Sequence, residues 1–166
     1  SMKQIFPLMA LALLASCAGE KQQLSYEMNA SFNFSGPLFE GSNTAEAVVV
    51  PALDSFIKAN GLAPEQLASV KISSVSMLAD SGNFDLAQTA TLSMASEAAK
   101  MQTVAVLNPL PAGAGEIALK GSAENELKDY FKEKKFSLVS DLNLRADRDA
   151  NFSCKAKVRF DVQVNK

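Results

Sequence analysis

The stretch Asn151-Phe-Ser-Cys-Lys-Ala-Lys-Val-Arg-Phe-Asp-Val-Gln-Val-Asn165 decides the fold. Phe152, Cys154, Ala156, Val158, Phe160, Val162 and Val164 alternate with polar residues without a break. Successive side chains of a strand point to opposite faces, so the period of two makes one dry face and one wet face. A slip of one residue would turn every apolar side chain to water, which fixes the pairing register.

Just ahead of this strand, Phe136, Leu138, Leu142 and Leu144 alternate into the polar turn Ala146 to Ala150. The expected product is a long antiparallel hairpin. Near the other end, Leu24, Tyr26, Met28, Ala30, Phe32 and Phe34 line one face of a second alternating strand that Gly36-Pro37 ends. Between them, strand signals recur at 70–77, 88–95, 101–107 and 117–119, with a break of phase at Ser73-Ser74 that predicts a bulge. Residues 38–44 and 108–115 read as loops, and 45–50 fit either a buried strand or the approach to a helix.

Two short helices are expected. Pro51 suits a first helical position ahead of the stripe Leu53, Phe56 and Ile57, with Asn60-Gly61 as the stop and one more turn at 64–67. Ser122 reads as the cap of a helix over 123–133 carrying Leu127, Tyr130 and Phe131. Half-solvated, alternating strands favour antiparallel pairing. The expected class is therefore mainly β: an antiparallel, two-sheet, immunoglobulin-like sandwich with two short helices, and a small closed barrel as the alternative.

At 166 residues the chain fits one domain, and 48% apolar with 20% charged residues is ordinary globular composition. The net charge is −2 with no basic run, so no nucleic-acid partner is expected. Histidine is absent, which removes the commonest general base and the commonest zinc ligand. No cofactor and no catalytic residue are expected, and the reading is non-enzymatic.

The first seventeen residues carry the strongest functional signal. Ser1 ahead of Met2 reads as the remnant of a cleaved tag, followed by basic Lys3 and an apolar run from Ile5 to Ala15. That run is too short to span a bilayer core and suits the core of a secretory leader. It ends in Leu14-Ala15-Ser16-Cys17, which resembles the lipobox of bacterial lipoproteins.

The resemblance implies a signal peptide over 1–17, an acylated Cys17, a tether over 18–23 and a domain over 24–166. It also implies a membrane partner reached through the lipid anchor alone. Ala18 stands where an inner-membrane retention signal would place Asp, so the implied address is the outer membrane, on its periplasmic or cell-surface side. Cys154 is then without a disulfide partner and reads as a small buried hydrophobe. The motifs Val70-Lys-Ile-Ser-Ser-Val, Asn83-Phe-Asp-Leu and Leu127-Lys-Asp-Tyr-Phe resemble small sandwich lipoproteins of Bacteroidetes-type bacteria. That resemblance implies no activity.

One polar cluster invites a metal. Asp147, Asp149 and Asn151 are spaced like the opening of a calcium loop, but Phe152 replaces the turn glycine and Val158 the bidentate Glu. Turn chemistry explains the same residues, so calcium ranks as the weaker reading. Three Asn-x-Ser motifs, at Asn29, Asn33 and Asn151, read as plain strand residues.

Three functions are compatible with these residues. The first is a binding or assembly module that offers the loops at 36–46 and 108–115 to a protein or envelope polymer. The second is a carrier of a lipid or other apolar ligand, suggested by Phe32, Phe34, Phe136, Phe152 and Phe160. The third is a calcium-dependent adhesin or structural envelope protein.

Overall fold

A computed structural model describes residues 19–166. The leader and Cys17 lie outside the described residues. The described residues are mainly β, with eight strands: β1 (Lys21–Phe34), β2 (Gly41–Val49), β3 (Leu67–Ala79), β4 (Ala87–Ala95), β5 (Gln102–Leu107), β6 (Glu116–Gly121), β7 (Phe136–Leu144) and β8 (Phe152–Asn165). Among the same residues lie one α-helix, α1 (Leu53–Ala59), and two 3-10 turns, Pro64–Gln66 and Lys128–Lys132.

All neighbouring strands are antiparallel, in the order β1-β8-β3-β6-β5-β4-β7-β2. This is one sheet and not the two separate sheets expected. Its narrowest point is β5 against β6, where only Ala105 with Gly121 and Val106 with Lys120 pair. The sheet curls into a half-barrel, so that its two edge strands, β1 and β2, approach each other.

The decisive strand behaves as its alternation requires. β8 pairs with β1 over fourteen positions, Lys21 with Asn165 through Phe34 with Phe152, without a slip. Its apolar residues are buried, Phe160, Val158, Val162 and Val164 completely. On its other side β8 pairs with β3, whose register shifts between Ile72 and Ser74, at the bulge read from Ser73-Ser74.

Several expectations are corrected. β7 and β8 do not form a hairpin: β7 lies between β4 and β2, and the chain crosses to the opposite half before β8 begins. Residues 41–44 are strand instead of loop, because β2 pairs with β7 from Gly41 opposite Leu144 onward. β1 starts at Lys21, so the last three residues assigned to the tether pair with Gln163–Asn165. Pro51 precedes the cap Ala52 and is not the first helical residue, although Leu53 and Ile57 are buried as the stripe requires.

No helix covers 123–127. The Ser122 amide donates to the Val104 carbonyl and the Leu127 amide to the Val70 carbonyl, both at 2.8 Å. In a helix over 123–133 the Leu127 amide would turn back to the Ala123 carbonyl; committed instead to β3, it cannot, and only the 3-10 turn Lys128–Lys132 remains. Glu126 completes the attachment to β3. Its carboxylate accepts from the Ser69 hydroxyl at 2.5 Å, the Val70 amide at 2.9 Å and the Lys128 amide at 3.0 Å.

The core is a continuous set of aromatic rings and aliphatic side chains inside the curl. Phe131 stacks edge-on against Phe160 at 5.1 Å and Phe136 at 5.2 Å, and Tyr26 touches Phe56 at 5.2 Å. Phe84 meets Phe152 at 5.3 Å toward the other end. The Tyr26 hydroxyl is not wasted: it accepts the Ala52 amide at 3.0 Å and ties α1 to β1.

Candidate functional site

Because every pair is antiparallel and the strands alternate direction along the chain, each connection stays at one end of the half-barrel. Lys21 and Asn165 define a proximal end, which also holds α1, both 3-10 turns and residues 96–101. The distal end holds the four loops 35–40, 80–86, 108–115 and 145–151.

The distal loops are tied to one another in pairs. Leu38 and Arg148 exchange backbone hydrogen bonds, both 2.8 Å. The Glu40 amide donates to Asp147 Oδ1 at 2.8 Å, and the Gly36 amide to Asn151 Oδ1 at 2.7 Å. Gly36 sits so close to the neighbouring loop that a Cβ there would lie 2.5 Å from the Ala150 carbonyl oxygen. On the other side, Phe84 donates to the Ala114 carbonyl at 2.9 Å and Gly113 to Asp85 Oδ1 at 2.6 Å.

Two of the three side chains that suggested calcium are thus engaged with backbone amides. Asp147 and Asn151 clamp the 35–40 loop, while Asp149 is exposed. Asp141 accepts from the hydroxyls of Ser42 and Thr44 on β2, and Asn143 from the Gln88 side chain. Among the described residues no three carboxylate, thiol or imidazole groups converge as a metal site would need.

The tip built this way is acidic and carries one exposed ring. Phe39 is 61% exposed at the turn of the 35–40 loop, held by Asn43, whose Oδ1 accepts the Phe39 amide while its Nδ2 donates to the Phe39 carbonyl. Glu40, Asp80, Asp85, Asp147 and Asp149 share this end with only Arg145 and Arg148. The loop was identified in the sequence as a contact surface; the ring itself was not. An aromatic between Gly36-Pro37 and a run of polar residues was the available signal.

The proximal end is shaped differently. An open cleft of about 760 Å³ lies between the end of β2, the end of β4 and residues 132–137. Val48 and Phe136 line it together with Lys132, Lys134 and Lys135. Glu133 turns inward, its Oε1 accepting the Ala98 amide at 3.3 Å. A smaller gap of about 330 Å³ opens at the seam between β1 and β2, against Val48–Val50.

Cys154 on β8 and Glu126, in the connection after β6, have shifted equilibria with clear causes. Burial pushes the Cys154 thiol up to about 12, with the Asp80 charge adding to it. For Glu126, burial pushes the carboxyl up, but the hydrogen bonds from Ser69, Val70, Lys128 and Leu127 outweigh it and hold the group below its ordinary value. Both are structural settings: one thiol packed as a hydrophobe, one carboxylate used as a clamp. The five phenylalanines of the carrier expectation are all buried in the core.

No protein-family model and no curated protein sequence matches the chain. Among solved structures, it is similar to one described as Desmodium yellow mottle tymovirus. The identity is 7% and the TM-score 0.31, over 100% of this chain and 97% of that one. It is also similar to the 60-mer BFDV capsid protein, at 12% identity and a TM-score of 0.39, over 89% of this chain and 95% of that one. Likenesses this loose carry no functional argument, and no family is assigned.

Proposed function

We propose that the chain is a lipid-anchored, non-catalytic module of the bacterial cell envelope, acylated at Cys17, that presents its distal loops to a protein or envelope-polymer partner. The observation that carries this reading is the separation of the two ends. The chain enters β1 at the proximal end, four residues after Cys17, while the cross-tied loops bearing Phe39 lie at the other end of one hydrogen-bonded sheet. An anchor at one end and a rigid, partly apolar tip at the other is the layout of a display module.

The two four-stranded halves joined at β5 and β6 act in this reading as the two layers of a sandwich, and the outer membrane is the address that Ala18 suggests. The absence of histidine supports a non-catalytic role. A photo-crosslinking residue placed at position 39 tests the reading in native envelopes. It should capture a specific partner, whereas the same residue at the side-facing, exposed position 157 should not. Equal background capture at both positions would sink the display role.

A further inference from the structure

We propose that the proximal end face lies directly against an anionic lipid surface, with Val48, Val50 and Met101 at the interface and Lys134 and Lys135 among the headgroups. The inference rests on the anchor reading and adds an orientation to it. Cys17 precedes Lys21 by four residues, so a lipid on Cys17 is held within about 14 Å of the start of β1. A body tethered that closely has little freedom, and one of its surfaces must spend most of its time at the bilayer.

The exposed side chains select which surface. Val50 is 76% exposed, Met101 65% and Val48 62%, and all three belong to the proximal end. Lys134 and Lys135 are exposed beside the cleft that Val48 lines. Apolar tips flanked by long basic side chains suit the boundary between headgroups and acyl chains, where the stems bury and the ammonium groups reach phosphate. The lysines of this end are matched in number by its acids, so it is close to neutral as a whole. The distal end, by contrast, is net acidic and is repelled by anionic lipid. The asymmetry turns the Phe39 tip away from the membrane.

Single-cysteine labelling tests the orientation on the lipidated protein, because Cys154 is buried and Cys17 is acylated in this reading. An environment-sensitive fluorophore is placed on Val50→Cys or Phe39→Cys, and each protein is bound to vesicles of phosphatidylglycerol and phosphatidylethanolamine with bromine near the headgroup. The label at 50 should be quenched by the brominated lipid and shielded from iodide, and the label at 39 should show the reverse. Lys134→Gln with Lys135→Gln should lower the ratio of docked to undocked protein about twenty-five-fold at low salt, since each lysine contributes roughly fivefold at such a surface. Proteins that float with the vesicles but show equal iodide access at both sites would overturn the docking and leave the anchor intact. Failure of the wild type to float would remove the anchor, and the inference with it.

Discussion

Cys154 offers the sharpest test of the packing. It has no solvent exposure, stands opposite Phe32 on β1 and Ala79 on β3, and its thiol is pushed up to about 12 by burial and then by Asp80. At pH 8 a thiol with that pKa is ionised in about one molecule in 10⁴, against roughly a quarter for an ordinary cysteine. Native alkylation by iodoacetamide should therefore run about three orders of magnitude below the rate for a free thiol, and reach one equivalent only in denaturant. Peptide-resolved mass spectrometry separates Cys154 from Cys17.

Substitution carries a matching signature. Cys154→Ser buries a hydroxyl among hydrocarbon and should cost about 1–3 kcal/mol, whereas Cys154→Ala loses only packing, about 1 kcal/mol. In a domain of this size that difference is a few degrees in Tm. The pH dependence follows from the raised pKa. The contribution is fully present below about 9, where the unfolded chain keeps the thiol protonated, and is lost as pH rises toward about 12. The wild type should thus lose more stability than Cys154→Ala across that window. Rapid native alkylation, or Ser tolerated as well as Ala, would refute the packing of β8 between β1 and β3.

Three further outcomes are expected. Glu126→Gln should cost about 1 kcal/mol at neutral pH by weakening charged hydrogen bonds to β3. Because the carboxyl is held below its ordinary value, that contribution is present above the unfolded pKa and fades as pH falls through the folded one, so wild type and variant should converge in acid. Melting with 1 mM calcium and with chelator should give the same Tm, since Asp147 and Asn151 are engaged with the amides of Glu40 and Gly36; a rise of several degrees that Asp147→Asn abolishes would favour the calcium reading instead. Phe39→Ser should change stability by no more than about 0.5 kcal/mol, as exposed positions do, while abolishing partner capture at the distal tip; unchanged capture would place the contact elsewhere.

What the sequence made legible was faces rather than neighbours. Alternation placed Phe152–Val164 and Leu24–Phe34 on the core side correctly, and the phase break at Ser73-Ser74 marked a real bulge. Alternation does not state which strand lies alongside, because a dry face is satisfied by any partner that covers it. For that reason the turn at 146–150 looked like a hairpin, when its residues Asp147 and Arg148 instead join the loop of a distant strand pair. The helix expected after Ser122 failed for a related reason. Its local signals were sound, but the Leu127 amide found a long-range carbonyl partner in Val70. The candidate site followed the same pattern: loop 36–40 was visible from Gly36-Pro37, whereas its clamp by Asp147 and Asn151 depends on contacts more than a hundred residues apart.

Whether Cys17 carries lipid is read by intact mass spectrometry of the protein extracted from its own bacterial membranes. The expected result is a chain beginning at Cys17 and heavier by a diacylglyceryl group, with or without a third acyl chain, and the loss of that mass and of membrane retention in Cys17→Ser. An unmodified chain that retains residues 1–16, or a Cys17→Ser variant that stays on the membrane as firmly as wild type, would contradict it.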